Sequence, residues 1–534
     1  MANNNILSAL EQLKKKALEY HSLGHPGKFG TRILKPLTTR EHFGLSYTPG
    51  VAYACTAIAE DENKAYELTS KGNVVAVISN GTAVLGLGDI GAIAGKPVME
   101  GKAILFKYLA GIDAIDIEID LHDTNKIIEF IKAISPTIGG INLEDVAAPE
   151  CFDIDKAVHN ELGIPFFHDD QSGTAVVVAA AIQSALKITK KDIANCKIVF
   201  SGAGAAALAC ADLLVEVGAN IKNFYVFDSK GLIHAGRQLD SNKARFAQPT
   251  DATIQEALNN ADIFIGLSRA DLLTADDIMP MAANPVILAM ANPTPEISPV
   301  VAKEARSDAI VGSGRSDFVN QVNNVLCFPF LFRGALDIRA KSITLGMQLA
   351  CCNALMEAAQ ANKNFGPDNI MPDAFDPSII YIASKAVAQA AIRDGVAQKE
   401  LPENYNDFLD DLVYGSMIDK TCCHPELGNA QANALIKILE AHNITKKSNR
   451  KLFVLSKEEI IEKAKDIKSC TIILENNIEI GFNNLAKLQT TDLISTLENT
   501  NFIGLVTATD SLFNHSHRIW YAHKLMRCEY DTKE

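Results

Sequence analysis

The chain has 534 residues, 48% of them hydrophobic, and a formal net charge of −14. At about 150 residues per domain this length allows two to four domains, and the acidic balance argues against non-specific binding of nucleic acid. Because the start lacks a signal-peptide pattern and no run of about 20 uninterrupted apolar residues occurs, we expect neither a leader nor a membrane span.

The cysteines indicate a reducing compartment. There are eleven, none in a C-x-x-C pair. The adjacent pairs Cys351-Cys352 and Cys422-Cys423 are poorly spaced for a disulfide or a zinc site. We therefore expect free thiols in a cytoplasmic protein.

The first part of the chain alternates predicted helices and strands. Residues 6–22 have the apolar spacing of an amphipathic helix, and residues 123–134 predict another helix. Four apolar runs predict buried strands, at residues 73–79, 112–119, 138–143 and 163–167. Strands that alternate with helices are typical of a parallel α/β sheet.

A second α/β unit is predicted from about residue 170 onward. Its helices are predicted at residues 173–190 and 204–217. Its strands are predicted at residues 197–200, 223–227, 262–265 and 286–289. Helices dominate residues 334–440, and a polar, basic linker at 443–451 leads into a tail in which we find no chemical motif.

Acidic doublets follow two of the predicted strands. Glu144-Asp145 comes after the third strand, and Asp169-Asp170 comes after the fourth. Side chains at the carboxyl ends of neighbouring parallel strands converge on one crevice, where ligands bind. Four carboxylates there would repel one another unless a cation neutralised them, and oxygen ligands favour Mg²⁺ or Mn²⁺. The plain alternative is a pair of solvated loop ends.

A dinucleotide-binding fingerprint, G-x-G-x-x-A, lies between a predicted strand and a predicted helix of the second unit. Its glycines allow a tight turn and a close approach of the backbone to a pyrophosphate at the helix N-terminus. Its cofactor-binding residues are Gly202, Ala203, Gly204, Ala205 and Ala207. Asp228 ends the next strand and is placed to accept hydrogen bonds from a ribose hydroxyl.

A second glycine motif, Gly86-Leu-Gly88-Asp-Ile-Gly91, matches G-x-G-x-x-G but is soon followed by Gly95-Lys96-Pro97. We expect that no long helix begins there, because glycine and proline oppose it. We interpret the motif as an active-site loop shaped by glycine, in contact with the substrate or with the nicotinamide end of the cofactor.

Four single residues are candidates for chemistry. Lys102 has two interpretations. If it is partly buried, its pKa is lowered enough for it to act as a base; if it is at a helix start, its side chain extends into solvent. Tyr47, just before a turn, is an acid or a packing residue. Asn292 and Asn324 come next to apolar runs. A side-chain amide in such a place can hydrogen-bond to a carboxylate of the ligand or to a nicotinamide, or it can simply form a turn.

Together these segments resemble the malic enzymes of the short bacterial type. The matching segments keep the family's order over roughly residues 20–430. They are Ser46–Ala52, Val84–Gly91, Pro97–Lys102, Asn142–Asp145, Phe167–Gln171, the loop at Gly202, Ala291–Pro295, Gly314–Asp317 and Gln321–Asn324. The resemblance implies an N-terminal α/β domain for substrate and metal, then a Rossmann-type NAD(P)-binding domain.

The resemblance also implies a reaction and a role for each matching residue. The reaction is oxidative decarboxylation of (S)-malate to pyruvate and CO₂ with NADP or NAD, NADP being preferred. Lys102 matches the general base, Tyr47 the general acid, and Asp169 the acid that supports the lysine. Asn292 and Asn324 match substrate-binding amides. The residues that match the metal ligands are Glu144, Asp145 and Asp170.

We divide the chain into an N-terminal malic enzyme domain at 1–162, an NAD(P)-binding domain with C-terminal helices at 163–440, and a small α+β extension at 441–534. The resemblance implies a homodimer, with residues 1–60 and the late helices as contacts. Asn80, Ser172 and Phe318-Val319 depart from the family pattern. Two alternatives stay open: a malolactic or oxaloacetate-decarboxylating enzyme on the same scaffold, and an inactive nucleotide-sensing protein.

Overall fold

The computed structural model describes residues 2–22, 28–31, 33–35, 37, 39–84, 86–159, 161–410 and 412, and the strand segments 470–474, 479–482 and 502–506. The chain divides into two compact units. One consists of Met1–Gly30 with Thr56–Asn406, and the other of Thr31–Cys55 with Asp407–Glu534.

The described α-helices are α1 Ala2–Ser22, α2 Arg40–Ser46, α3 Val51–Glu60, α4 Ala65–Leu68, α5 Ala92–Ala110, α6 Thr124–Ile134, α7 Glu150–Val158, α8 Thr174–Thr189, α9 Ala205–Glu216, α10 Ser241–Ala244, α11 Ile254–Leu258, α12 Ala275–Ile278, α13 Pro299–Ala305, α14 Phe328–Asp337, α15 Leu345–Ala361, α16 Ile379–Arg393 and α17 Tyr405–Asp410. The described strands are β1 Val74–Ser79, β2 Asp113–Glu118, β3 Gly140–Leu143, β4 Phe166–His168, β5 Ile198–Ser201, β6 Phe224–Asp228, β7 Gly231–Leu232, β8 Ile263–Gly266, β9 Val286–Ala289, β10 Ile310–Ser313, β11 Cys470–Leu474, β12 Glu479–Phe482 and β13 Phe502–Val506.

The first sheet is parallel and has the order β2-β1-β3-β4. The strand order reverses between β1 and β3, and such a switch point opens a crevice at the carboxyl ends of the strands. Every residue of β1 and β3 is buried, as expected for a parallel sheet covered on both faces. The four strands predicted in this part of the chain are therefore confirmed.

The second sheet has the order β10-β9-β8-β5-β6-β7. All its pairs are parallel except β6 with β7. The order reverses between β5 and β8, so this is the switch point at which a Rossmann-type fold binds its dinucleotide. The predicted α/β fold class with a Rossmann-type domain is confirmed, and β7 and β10 are additional strands that the sequence did not predict.

The domain boundaries remain predictions, but one strand bears on them. Our boundary after residue 162 assigns β4 to the second domain, whereas β4 pairs with β3 in the first sheet. In the other compact unit the three strands of the tail form an antiparallel sheet with the order β12-β11-β13.

The expectation that no long helix follows the second glycine motif is wrong. Helix α5 begins directly after Gly91 and runs for 19 residues. Pro97 lies inside it, and the proline ring removes the hydrogen bond to the carbonyl of Ile93. Since Ile93 is exposed, water can hydrogen-bond to that carbonyl. Packing of the buried face of α5 stabilises the helix through this turn.

The cores on the two sheets consist mainly of aliphatic and phenylalanine side chains. Among the described residues one helical stretch, Asp169–Thr189, is long and apolar enough to cross a bilayer, but most of it is buried in the protein. This helical stretch leads from β4 of the first sheet to β5 of the second. Free thiols are found at Cys55, Cys151, Cys196, Cys210, Cys327, Cys351 and Cys352.

Candidate active site

The two acidic doublets meet at the carboxyl edge of the first sheet. Leu143 of β3 is in register with His168 of β4, so the residues that follow these strands are neighbours. One carboxylate oxygen from each of Glu144, Asp145 and Asp170 lies within 4.8 Å of the other two. The backbone N–H of Asp145 also donates to Asp170 Oδ2 at 2.7 Å. The structure thus brings together the three predicted metal ligands.

Local backbone geometry directs these side chains inward. Asp145 has a φ of 52°, a left-handed conformation that few residues other than glycine, asparagine and aspartate adopt readily. Asp169–Gly173 forms one wide π-turn, a feature that is frequent at functional sites. A Cβ at Gly173 would lie 1.8 Å from Asp169 Oδ1. Glycine at position 173 therefore provides the space that the carboxylate of Asp169 occupies.

Lys102 lies in the middle of α5 and is only 8% exposed. Its Nζ is 2.5 Å from Asp169 Oδ2 and 2.9 Å from Glu144 Oε1. On its other side Nζ lies 4.3 Å from the ring centroid of Phe328, within the range of a cation–π interaction. The lysine is not at the helix start, so the alternative of a solvent-reaching lysine is wrong.

The pKa of Lys102 differs from our expectation. Burial opposes the ammonium form, but Asp169, Glu144 and Asp170 outweigh it and raise the pKa of Lys102 above its ordinary value. The predicted lowering by burial is therefore wrong for the protein without a metal ion, because three carboxylates surround the lysine. Burial raises the pKa of Asp169 to about 6, although Lys102 opposes this.

The other two carboxylates of the cluster have opposite shifts. Burial and then Asp170 raise the pKa of Glu144. Burial would also raise the pKa of Asp170, but the adjacent His168 and Lys102 lower it below the usual value. The anionic form of Asp170 is thus stabilised, whereas the anionic form of Glu144 is destabilised. A further cation beside Glu144 would stabilise its charge.

The donor set fits a hard divalent cation. Oxygen ligands of an octahedral Mg²⁺ at about 2.1 Å are about 3 Å apart when adjacent and about 4.2 Å apart when opposite, and these carboxylate oxygens all lie within 4.8 Å of one another. Three buried or half-buried carboxylates with a single lysine beside them carry excess negative charge, which a divalent ion would neutralise.

Two supporting residues of this cluster were not predicted. Asn142, fully buried in β3, donates from Nδ2 to Glu144 Oε2 at 2.8 Å. His168, at the end of β4, has Nε2 3.6 Å from Asp170 Oδ2. Both precede an acidic doublet in the sequence by one or two residues, and a polar residue inside a buried strand is the signal that could have found them.

The dinucleotide fingerprint has the predicted strand–loop–helix geometry. Gly202 has a φ of 113°, and a Cβ there would lie 2.4 Å from the carbonyl oxygen of Leu267. A Cβ at Gly204 would meet open space, so the backbone is accessible just where α9 begins. Ala203, Ala205 and Ala207 are the small residues of this turn and its helix.

Asp228 lies beside this loop, since Gly202 N–H donates to the carbonyl of Phe227 at 2.8 Å. Its carboxylate is already engaged. Oδ1 accepts the N–H of Lys230 at 2.8 Å, and Oδ2 accepts from Arg237 Nη2 at 2.6 Å. Lys243 Nζ is 3.7 Å from the same oxygen. Arg237 and Lys243 were not predicted, because they follow Asp228 by nine and fifteen residues, Arg237 in a loop and Lys243 in α10.

The second glycine motif and Asn292 are neighbours. A Cβ at Gly86 would lie 2.1 Å from the carbonyl oxygen of Asn292, so only glycine fits there. Three residues before the motif, Ala83 N–H donates to the carbonyl of Asp145 at 3.1 Å. The loop therefore connects the carboxylate cluster with the segment after β9, which agrees with its interpretation as an active-site loop.

The remaining predicted residues lie in separate places. Asn324 begins the turn Asn324–Leu326, which contacts the π-turn that carries Asp169. Tyr47 belongs to the other compact unit, where it follows α2, contacts the ring of Phe43 and is 65% exposed.

The chain matches two family models. Residues 26–159 match the model "Malic enzyme, N-terminal domain", and residues 171–395 match "Malic enzyme, NAD binding domain". It is 49% identical to an NADP-dependent malic enzyme of Escherichia coli over 76% of this chain and 56% of that protein. It is 47% identical to an NADP-dependent malic enzyme of Halomonas elongata over 75% of this chain and 99% of that protein.

Solved structures give the same result. The malic enzyme of Pyrococcus horikoshii is similar with a TM-score of 0.71 and 38% identity, over 78% of this chain and 99% of that chain. The chain spans about half the length of the first curated relatives that it matches.

Proposed function

This chain belongs to the malic enzyme family, and from that premise we propose that it oxidatively decarboxylates (S)-malate to pyruvate and CO₂ with reduction of NADP⁺ or NAD⁺. The observation that carries the proposal is the position of Lys102 Nζ, 2.5 Å from Asp169 Oδ2 and 2.9 Å from Glu144 Oε1. A candidate base is thereby adjacent to the candidate metal ligands, as chemistry on a chelated 2-hydroxy acid requires.

In this mechanism two residues move protons and one holds the base. Lys102 accepts the proton of the C2 hydroxyl as the C2 hydride leaves, and Asp169 keeps Nζ in place through its hydrogen bond. After the C4 carboxylate has left as CO₂, Tyr47 donates a proton to C3. The role of Tyr47 is carried over from its position in the family motif.

Glu144, Asp145 and Asp170 would hold the divalent metal ion. A bound Mg²⁺ or Mn²⁺ would stabilise negative charge on the C2 oxygen, and the nicotinamide would take the hydride. Asn142 fixes one oxygen of Glu144 by its hydrogen bond, and Asn292 and Asn324 would bind the substrate carboxylates. All of these residues except Tyr47 lie in one compact unit.

We propose NADP as the preferred cofactor. In Rossmann-type folds an acidic residue at the end of the second strand accepts hydrogen bonds from the ribose diol of NAD, whereas a nearby arginine binds the 2′-phosphate of NADP. Here Arg237 Nη2 occupies Asp228 Oδ2 at 2.6 Å, and Lys243 Nζ approaches it to 3.7 Å. The diol of NAD would have to compete with Arg237, while a phosphate would meet two cations.

We also propose a homodimer. Residues 31–55 carry several large apolar side chains that are exposed in the chain by itself, and a concentration of exposed apolar side chains in one segment suggests an interaction site. These side chains are Ile33, Leu34, Leu37, Phe43, Leu45, Tyr47, Val51 and Tyr53. Light scattering of the purified protein would give the mass of a dimer, and the mass of a monomer at micromolar concentration would refute it.

The experiment that tests the activity is an absorbance assay with malate and Mn²⁺, run separately with NAD⁺ and NADP⁺, with pyruvate measured enzymatically. Reduced cofactor and pyruvate should form in equal amounts. Lactate without net reduced cofactor would instead indicate a malolactic enzyme. Cofactor binding without any metal-dependent turnover would indicate a nucleotide-sensing protein.

A further inference from the structure

We propose that Glu296 is a positioning residue that holds the loops after β8 and β9 in one arrangement and thereby places Asn292 for reaction. This inference rests on the proposed function, because the substrate-binding role of Asn292 belongs to it. In this role Glu296 acts through the two loops and not on the reacting atoms.

Glu296 joins the carboxyl ends of two adjacent strands. It is 0% exposed. Its Oε1 accepts the backbone N–H of Ser268 at 2.9 Å, and its Oε2 accepts the backbone N–H of Ala291 at 3.0 Å. Ser268 lies two residues after β8, and Ala291 lies two residues after β9. A single carboxylate therefore fixes both loops at the edge where a Rossmann-type sheet binds ligands.

The neighbouring strand provides space for this carboxylate. A Cβ at Gly266, the last residue of β8, would lie 2.3 Å from Glu296 Cδ and 2.5 Å and 2.7 Å from its two oxygens. In the described part of the chain no basic side chain forms an ion pair with Glu296. Burial raises the pKa of Glu296, and backbone N–H groups, first those of Ser268 and Ala291, oppose that rise. The protein thus buries a carboxylate whose partners are loop N–H groups.

The two loops that Glu296 connects carry different parts of the site. In the β8 loop the carbonyl of Leu267 lies against Gly202 of the dinucleotide fingerprint, and the hydroxyl of Ser268 bonds that of Ser201 at the end of β5. In the β9 loop the carbonyl of Asn292 lies against Gly86 of the second glycine motif. A fixed carboxylate between the loops keeps Asn292 at a constant position relative to the cofactor loop.

The isosteric change Glu296→Gln tests this role. Glutamine has one acceptor oxygen and one NH₂ donor, so it cannot accept from both loop N–H groups, and one N–H would face the NH₂. We expect faster hydrogen–deuterium exchange at Ser268 or Ala291. We also expect kcat/KM for malate to fall by about tenfold to a hundredfold, the usual size of one lost hydrogen bond to a charged group. Because Gly202 is also held by its own hydrogen bond to the carbonyl of Phe227, binding of NADPH, followed by fluorescence, should change by less than about threefold.

The matched control is Asp337→Asn, which changes another buried carboxylate far along the chain, in α14. It should lower the thermal midpoint and leave the KM for malate unchanged. If Glu296→Gln behaved like this control, with loss of stability alone, the positioning role would be refuted. Unchanged exchange at both loop amides would refute the connection itself.

A second variant keeps the inference testable if Glu296→Gln does not fold. Gly266→Ala should displace the carboxylate of Glu296 and give faster hydrogen–deuterium exchange at Ser268 and Ala291 than in the wild-type protein. Exchange as slow as in the wild-type protein would overturn the inference. Were the wild-type protein to bind NADPH but not oxidise malate, the proposed function would fail. Hydrogen–deuterium exchange at the amides of Ser268 and Ala291 would still test the role of Glu296, because that measurement does not depend on turnover.

Discussion

Lys102 Nζ lies 2.9 Å from Oε1 of Glu144, so the candidate base and a candidate metal ligand are in direct contact. The contact couples the two groups electrostatically. Without a metal ion, Glu144 helps to raise the pKa of Lys102. If Glu144 held a divalent ion, as we propose, its charge would be shared with that ion, and the lysine would lose part of the support for its ammonium form. In the proposed metal-bound state the lysine would therefore give up its proton more readily than it does without the ion.

Substitution Lys102→Met should abolish most turnover and preserve cofactor binding. This change removes the proposed base, and general base assistance typically contributes about 10²–10⁴-fold to the rate. Steady-state assays with malate and Mn²⁺ would measure kcat, and NADPH fluorescence would measure cofactor binding. Lys107→Met is the matched control, because Lys107 lies on the same helix and pairs with Asp113 at 2.8 Å. Turnover near the wild-type value in Lys102→Met would remove this lysine from the mechanism.

Substitution Asp170→Asn should weaken Mn²⁺ binding by at least about a hundredfold, because one of the three proposed anionic oxygen ligands is lost. Titration of the protein with Mn²⁺, followed by the electron paramagnetic resonance of the free ion, measures this without any turnover. Asp113→Asn removes a partly exposed carboxylate outside the cluster and should leave the titration unchanged. An undiminished Mn²⁺ affinity in Asp170→Asn would contradict the assignment of this ligand.

The sequence predicted the positions of the acidic doublets because strong local signals coincide there. Buried parallel strands are continuous apolar runs, and the residue that follows such a run lies at the ligand-binding edge. Residues whose partners are distant in sequence gave no such signal. Glu296 accepts from Ser268, 28 residues earlier, and Arg237 reaches Asp228 across a loop. Local preference also failed at Pro97, since tertiary packing maintains α5 through the proline.

Substitution Gly173→Ala should impair catalysis although it adds a single carbon atom. The new Cβ would lie 1.8 Å from Asp169 Oδ1, so Asp169 must rotate and lose its hydrogen bond to Lys102. The expected loss in kcat is about tenfold to a hundredfold. In Gly101→Ala the Cβ meets only Lys28 Nζ at 4.0 Å, so this helical variant should keep its kcat and gain about 1 kcal/mol of stability. Equal activities of the two variants would argue against a fixed position of Asp169.

Substitution Arg237→Met should lower kcat/KM for NADP⁺ by about tenfold or more, because a charge-assisted hydrogen bond to phosphate is lost. With NAD⁺ the value should stay constant or rise, since Asp228 becomes free to accept from the ribose diol. Arg245→Met is the control, as Arg245 makes an equally short ion pair, 2.6 Å, with Asp212. Parallel losses with both cofactors would show that Arg237 has only a structural role.

Substitution Asp337→Asn should destabilise the protein more than any exposed ion pair does. Arg333 and Asp337 are both buried in α14, where Arg333 Nη1 also donates to Asn73 Oδ1 at 2.7 Å and Tyr405 donates its hydroxyl to Asp337 Oδ2 at 2.7 Å. Loss of one partner leaves a buried guanidinium without its counter-charge, which costs about 3–5 kcal/mol. Asp317→Asn breaks the exposed pair with Arg315 and should cost at most about 1 kcal/mol. Urea unfolding of the two variants measures the difference, and equal midpoints would mean that solvent reaches the pair in α14.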